Sequence, residues 1–362
     1  MNKILHYLRK KPIAILMVFI PIALLAAWGE WGGLWVFALS AVGVIPLAGY
    51  IGESTEALAE RTGPKIGGLL NATLGNAAEL IITLVAIRAG LLDLVKASIT
   101  GSIIGNLLLV LGMAMVYGGI KNGVQRFDRK QASNNAILLV LSVVALVIPS
   151  LFSHSIGPET SMEVEALSLG VSVVMIVLYA LGLVYTLVSS RSPITYESTV
   201  PPQNHNTPHW SVKQALIILA ASTVGVVFMS ELLVGAVETV TSSLGLSEFF
   251  LGIILIPIVG NVAEHLVAVQ VAGRNHMDLS VEVAVSSSLQ IALFVAPLLV
   301  FVSLLMGHPL TLVFNQFELL ALVGGVLIAA LVSSDGESNW LEGAALLAVY
   351  LILGIAFFML PA

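Results

Sequence analysis

Residues 75–80 read Gly-Asn-Ala-Ala-Glu-Leu, and residues 260–265 repeat the pattern as Gly-Asn-Val-Ala-Glu-His. The two stretches are separated by 260 − 75 = 185 residues, and the same spacing places Asp93 on Asp278. A short motif can recur by chance, but a motif that keeps its register with flanking residues indicates an internal duplication. The chain is therefore predicted to contain two related units.

The composition is that of a membrane protein. Of the 362 residues 58% are hydrophobic and only 10% are charged, with a mean hydropathy of +1.01, whereas soluble domains carry roughly 25% charged residues. Hydrophobic runs long enough to span a bilayer occur along the whole chain. They predict an all-α polytopic protein of eleven transmembrane helices. The predicted spans are 12–28, 34–52, 66–89, 97–118, 134–152, 165–188, 213–234, 249–272, 280–306, 316–333 and 340–361.

The span count explains the duplication. Residues 1–33 form an N-terminal helix outside the repeat, 34–189 the first five-helix repeat, 190–212 a cytoplasmic linker and 213–362 the second five-helix repeat. Because five is odd, the second repeat enters the membrane from the opposite face. Inverted repeats of this kind are typical of secondary transporters, whose substrate site lies near the bilayer midplane between the repeats.

Positive charge predicts the orientation. Of the fifteen Lys and Arg residues, only Arg88 and Lys96 fall outside when the N-terminus is cytoplasmic. The expected location is therefore the plasma membrane, with a cytoplasmic N-terminus. The residues expected inside are Lys3, Arg9, Lys10, Lys11, Arg61, Lys65, Lys121, Arg126, Arg129, Lys130, Arg191, Lys213 and Arg274.

The repeated motif places Glu79 and Glu264 near the centres of two predicted helices. An ionised carboxylate at that depth costs at least about 2.5 kcal/mol, so it is expected to bind a proton, a cation or a polar partner. One such glutamate could be a neutral residue that joins helices through a hydrogen bond. Two at matching repeat positions favour a cation site.

The residues next to the two glutamates suit oxygen coordination. Gly75-Asn76 and Gly260-Asn261 are poor helix formers, and Pro257 removes a backbone donor, so helix breaks that release carbonyl oxygens are expected there.

The following helices carry polar stripes. Ser102 and Asn106 are four residues apart, and Ser287 and Gln290 are three apart. These side chains could contact the ion, although small polar residues are also common at contacts between helices.

The chemistry of these groups points to calcium and protons. Cysteine is absent, so a bound metal would have oxygen or imidazole ligands. Calcium accepts about 6–8 oxygen ligands in flexible geometry, and two carboxylates balance its charge. Burial favours the protonated form of a carboxylate, so two protons are the natural alternative occupants. This competition predicts calcium/proton antiport, with calcium as substrate, no cofactor and no nucleic-acid partner, and it leaves a homo-oligomer open.

Three further residues are candidates for proton or cation access. Glu56 and Glu231 occur in similar settings near the ends of helices, where solvated interfacial carboxylates are an equal alternative. His265 directly follows Glu264, where a packed and hydrogen-bonded histidine is the alternative to a proton relay.

With these motifs in hand, the chain resembles the calcium/proton antiporter family of the calcium/cation antiporter superfamily, in a compact prokaryotic form. The resemblance covers almost the whole chain. It rests on residues 67–79 (Gly-Gly-Leu-Leu-Asn-Ala-Thr-Leu-Gly-Asn-Ala-Ala-Glu), on 260–265, on 287–290 (Ser-Ser-Leu-Gln) and on 338–340 (Ser-Asn-Trp). It implies eleven helices in a one-plus-five-plus-five arrangement. It also implies central cation and proton sites at Glu79 and Glu264, with a path lined by Asn76, Asn261, Ser287 and Gln290.

Other functions fit less well. The sodium/calcium exchangers of that superfamily carry Ser-rich Pro-Glu versions of the two motifs, whereas Asn-x-x-Glu here favours protons as the counter-ion. Exchange of another cation pair, manganese/proton or sodium/calcium, is the alternative. An intramembrane enzyme is disfavoured because the sequence holds no His-Glu-x-x-His or Gly-x-Ser-x-Gly motif. A channel could also expose two glutamates, but inverted repeats favour alternating access.

Overall fold

Helices form almost all of the regular structure in the computed structural model, which describes residues 12–62, 64–188 and 210–361. A short 3₁₀ segment, Pro12–Val18, precedes the first α-helix. The α-helices are α1 Phe19–Trp28, α2 Gly33–Thr62, α3 Pro64–Leu74, α4 Ala77–Arg88, α5 Leu92–Ile104, α6 Leu111–Asn122, α7 Arg129–Ile156, α8 Met162–Val188, α9 Val212–Gly235, α10 Val237–Leu244, α11 Glu248–Phe250, α12 Ile256–Ala272, α13 Met277–Gln290, α14 Ala296–Leu305, α15 Gln316–Val332 and α16 Trp340–Phe358. Two-residue strands, β1 Gln125–Arg126 and β2 Glu337–Ser338, pair antiparallel.

The helices have the length and composition of membrane spans. Within the described residues, seven are long and apolar enough to cross a bilayer, or eight if one bent pair counts as a single span. Two shorter apolar helices, Ile13–Trp28 and Gln316–Val332, accompany them. The prediction of an all-helical polytopic membrane protein is confirmed at this level.

Two spans form the centre of the molecule. The apolar window of Leu92–Asn122 is 83% buried and that of Met277–Leu305 is 67% buried, whereas the other five long spans reach at most 44%. The starts of these two spans are 277 − 92 = 185 residues apart, the spacing of the repeated motif. The duplicated sequence thus supplies both central helices.

Helix starts follow the capping chemistry of the sequence. Asn315 and Asn339 each accept hydrogen bonds from the first turn of their helix, while Glu318 and Glu342 bond back to the capping residue. Ser211 and Gln214 form the same capping box before α9. Such reciprocal caps satisfy backbone donors that the helix itself leaves unpaired.

Both helices that carry the motif depart from a single straight helix beside it, the first by an interruption and the second by a bend. The single predicted helix 66–89 is divided into α3 and α4, with Gly75 and Asn76 between them. The second motif lies at a 70° bend between Glu248–Val262 and Glu264–Ala272.

One end of the molecule joins loops from both repeats. Strand β1 pairs with β2, and the side chain of Gln125 donates to the carbonyl oxygen of Ala272 over 2.9 Å. The backbone N–H of Asp128 donates to Asp278. Arg126 in β1 and Arg274 after α12, which were predicted to be cytoplasmic, lie at this end.

The opposite end holds the two cations that were predicted to lie outside. Arg88 pairs with Glu231 and Lys96 pairs with Glu159. The predictions for the linker up to residue 209 and for five of the basic residues fall outside the described residues: Lys3, Arg9, Lys10, Lys11 and Arg191.

Candidate functional site

Glu79 lies in the first turn of α4, immediately after the Gly75–Asn76 interruption. Its side chain is fully buried. Ser102 of α5 donates a hydrogen bond to Oε1, and the amide of Asn261 donates to Oε2 over 3.3 Å. The Asn261 amide nitrogen also lies 3.4 Å from the Ser102 hydroxyl, so it contacts both Glu79 and Ser102.

Glu264 is held in a related way by its own repeat. Ser287 of α13 donates to Glu264 Oε2 over 2.8 Å. The same hydroxyl lies 3.1 Å from Asn76 Oδ1, and the Asn76 amide donates to Gln290 Oε1 over 2.9 Å. A hydroxyl has one proton to donate, so Ser287 serves either Glu264 or Asn76 at a given moment.

The two halves of the site therefore interlock. Each serine bonds the glutamate of its own repeat, and each asparagine reaches to the serine–glutamate pair of the other repeat. The carboxylates of Glu79 and Glu264 are close enough to interact electrostatically. The sequence predicted these residue types, and the structure brings them to one place.

The repeated Gly-x-x-x-Glu spacing brings the glycine of each motif close to the glutamate of the other repeat. A methyl group added at Gly75 would lie 3.3 Å from Glu264 Oε1, and one added at Gly260 would lie 3.6 Å from the Cβ of Glu79. Each glycine is thus the point at which the acid of the other repeat approaches the backbone. A side chain at Gly75 would crowd the carboxylate directly.

Sequence reasoning missed three π-helical segments near the site, Gly105–Val110, Leu251–Leu255 and Ile291–Val295. Such segments are rare and concentrate at functional sites. Pro257 and Pro297 each follow one of them, and proline cannot donate the regular helical bond, so these residues were the available signal.

Asn106 lies inside the first π segment and is 1% exposed. Its amide nitrogen has no hydrogen-bond partner within the described part of the chain. Buried polar groups are normally satisfied, so the Asn106 amide nitrogen is an unsatisfied donor in the segment that follows α5.

The remaining predicted residues are not part of the central network. Glu56 is exposed on α2, and Glu231 is bound to Arg88 at 2.8 Å. His265 is 7% exposed, and its Nε2 has no partner among residues 12–62, 64–188 and 210–361. The two network glutamates differ in access, since Glu264 is partly exposed and Glu79 is not.

The donor set defines what the site could bind. No three side chains of His, Cys, Asp or Glu converge on a metal position in the described residues. A cation here would therefore rely on two carboxylates together with neutral amide and hydroxyl oxygens. That mixture suits a hard ion such as calcium.

Comparisons with known proteins place this arrangement among ion exchangers. The profile of the sodium/calcium exchanger protein family matches residues 32–188 and 214–359. A Ca(2+)/H(+) antiporter of Aphanothece halophytica is 46% identical, with 96% of each chain covered. The Ca(2+)/H(+) antiporter ChaA of Bacillus subtilis is 44% identical over 94% of this chain and 97% of its own. The solved structure of native YfkE superposes with a TM-score of 0.84 at 41% identity, covering 96% of this chain and all of that one.

Proposed function

Since this chain belongs to the sodium/calcium exchanger protein family, we propose that it is a secondary transporter that exchanges calcium for protons. The observation that carries the proposal is the interlocked pair of acids, Glu79 and Glu264. Antiporters of the same ion pair are similar to it over nearly its whole length. It is a transporter rather than an enzyme.

Calcium would bind between the two carboxylates. Asn76, Asn261, Ser102, Ser287, Gln290 and Asn106 are the neutral groups available to complete the shell of about 6–8 oxygens. Asn261 presents its N–H group to Glu79, so calcium binding requires this amide to turn and offer Oδ1 instead. The serine hydroxyls can coordinate through a lone pair while still donating to a carboxylate.

Protons would be the alternative occupants. With calcium absent, two protons neutralise Glu79 and Glu264, and the hydrogen-bonded serines and amides keep both acids in place. A carboxylate left ionised and empty in a buried site is strongly disfavoured. Reorientation is therefore restricted to the two neutralised states, and this restriction couples the two fluxes.

Alternating access would arise from the duplicated units. We assign residues 1–33 to an N-terminal helix, 34–189 and 213–362 to inverted five-helix repeats, and 190–212 to the linker, which makes eleven spans. The 185-residue relation between the two central spans supports this assignment. Glu56, Glu231 and His265 would serve access to the centre rather than hold the ion.

The N-terminus would face the cytoplasm in the plasma membrane. The loops around Arg126, Arg129 and Arg274 lie together at one end, and Arg88 and Lys96 lie at the other. The positive-inside rule then makes the first end cytoplasmic.

A transport assay tests the proposed ion pair. Proteoliposomes with an acidic lumen are expected to take up calcium-45 only while the pH gradient lasts, and a proton ionophore should abolish uptake. A sodium gradient at uniform pH should drive none. Uptake driven by sodium alone, or no calcium movement with the pH gradient, would contradict calcium/proton exchange. Parallel measurements with manganese-54 establish whether that ion also travels.

The serine hydroxyls provide a graded test of the binding site. Ser102→Ala and Ser287→Ala each remove a hydrogen bond to a carboxylate, an interaction worth about 1.5–3 kcal/mol. We expect each variant to raise the KM for calcium about tenfold while retaining exchange. Ser142→Ala is the matched control, since among the described residues this buried hydroxyl bonds only the Leu138 carbonyl of its own helix. Unchanged KM values in both site variants would exclude the serines from the binding site.

A further inference from the structure

A groove of about 570 Å³ lies on the outside of the helix bundle, between α7 and the last turn of α15. Its lining consists of apolar and small residues, which extend from Ala132 to Val144 on α7 and from Ala330 to Ser334 on α15. The large side chains in it are open, since Ile137 is 62% exposed and Val144 is 52% exposed. In a membrane-spanning chain, an open apolar groove of this kind faces lipid.

The groove has the depth of one lipid leaflet. Its lining on α7 covers 144 − 132 = 12 residue steps, which is about 18 Å along a helix axis. One leaflet contributes about 15 Å of the hydrocarbon core. A helix of a second copy would need a complementary stripe along the whole of Arg129–Ile156, whereas the groove ends near the middle of this helix. The length of the groove therefore favours an acyl chain as its occupant.

The start of α7 adds positive charge to the same stripe of residues. Arg129 lies four residues before Ser133, and Lys130 lies seven before Ile137, so these side chains share one face of the helix. Both basic residues are exposed, and neither forms an ion pair in the part of the chain that the structure describes. Arg129 Nε donates to the carbonyl oxygen of Ser334 over 3.0 Å, which holds the guanidinium group at the mouth of the groove.

The acids at this end of the groove already have partners. Asp128 accepts two backbone N–H groups from the first turn of α7, and Asp335 accepts the backbone N–H of Glu337. Glu337 itself pairs with Arg126 over 3.0 Å. Helix α15 contains no Lys or Arg. The groove is thus apolar along its length and basic at one end only.

We propose that this groove binds an anionic phospholipid, with one acyl chain along α7 and the headgroup phosphate at Arg129 and Lys130. Basic pockets beside membrane helices are suited to acidic headgroups. The exposed hydroxyl of Ser133 lies between the charged and the apolar part of the stripe, where it can donate to a phosphate or ester oxygen. Because the groove is lined by both α7 and α15, the lipid joins a helix of the first unit to a helix of the second. The inference depends on the chain lying in a membrane and not on the ions that it exchanges.

Lipid binding to the full-length protein in detergent tests the site. Delipidated protein is titrated with phosphatidylglycerol or with phosphatidylcholine that carries the same acyl chains, and native mass spectrometry measures the bound lipid. The first phosphatidylglycerol is expected to bind about 25-fold more tightly than phosphatidylcholine, because each of the two basic residues contributes about fivefold. Lys130→Gln should reduce this preference about fivefold. The matched control is Lys213→Gln, the same change at an exposed lysine in the first turn of α9, which should leave the preference unchanged.

A second pair of variants tests the apolar part of the groove. Ala136→Phe places a ring in the middle of the groove and should weaken the binding of both lipids at least about tenfold. Ala180→Phe adds the same ring to an exposed alanine of α8 outside the groove and should weaken neither. Millimolar glycerol 3-phosphate, which has the charge but no acyl chain, should not displace the bound lipid.

Three results would overturn the proposal. The first is equal binding of the two lipids, or a wild-type preference in Lys130→Gln. The second is displacement by glycerol 3-phosphate, which would indicate a site for phosphate alone. The third is a lipid-free dimer that Ala136→Phe converts into a monomer, because a second copy would then cover the groove. If Ala136→Phe does not fold, the comparison of Lys130→Gln with Lys213→Gln at the protein surface decides the question.

Discussion

Replacing Glu79 or Glu264 by glutamine is expected to reduce calcium exchange driven by a pH gradient by about a hundredfold or more. Glutamine keeps the shape and the hydrogen-bonding capacity of the side chain but can neither carry the charge nor release a proton. Removing one partner of a buried charge pair costs about 3–5 kcal/mol, which corresponds to at least two orders of magnitude in affinity. The measurement is calcium-45 uptake into proteoliposomes with an acidic lumen.

The control for this experiment is Glu163→Gln, which changes an exposed glutamate in the first turn of α8. It should exchange calcium at the wild-type rate. Size-exclusion profiles must show that all variants are folded. If either central glutamine variant transports normally, that residue is not an ion site, and the proposed role of the paired acids is wrong.

The second large effect is expected at Gly101, where α5 crosses the π segment Leu251–Leu255. A Cβ atom at this position would lie 2.0 Å from the carbonyl oxygen of Ile253 and 2.6 Å from its carbonyl carbon. These are backbone atoms that cannot rotate away. Gly101→Ala is therefore expected to lower the free energy of unfolding by about 3 kcal/mol, at the upper end of the usual cost of overpacking. Thermal unfolding in detergent, followed by tryptophan fluorescence, measures the change.

Gly105→Ala provides the matched control four residues further along the chain. A methyl group there meets nothing within 4 Å, so the same substitution should leave the unfolding temperature close to that of the wild type. Equal unfolding temperatures for the two variants would mean that α5 and the π segment do not approach as closely as described. Small residues that allow close backbone approach are a general feature of helix contacts in membranes.

Much of the centre of the molecule was predictable from the duplicated motif. Because Gly-Asn is unfavourable within a helix, the interruption before Glu79 and the bend at Glu264 were expected, and both are present. The resemblance to calcium/proton antiporters, drawn from the motifs, is confirmed by the family match and by the relatives. The spans predicted to begin at residues 316 and 340 do begin there, as α15 and α16.

Other features depend on tertiary contacts that one sequence does not encode locally. Asn261 donates a hydrogen bond to Glu79, which is 182 residues away in the sequence, and not to Glu264 in its own repeat. This choice depends on which helices cross in the folded protein. The π segments depend on how a helix adapts around proline and close neighbours. Lys96 in α5 pairs with Glu159 in the loop before α8 only because these elements lie side by side, which no local sequence pattern indicates.

The crosswise hydrogen bonds have a mechanical consequence. Asn261 contacts the acid of the opposite unit, and Asn76 contacts the serine that holds the other acid, so neither unit forms the proposed binding site by itself. A relative movement of a few ångströms at the interface between the two units would break these contacts. The bound ion would then lose part of its coordination shell. In the proposed mechanism, ion release would then need no additional gate, because the binding groups belong to the two units that move relative to each other.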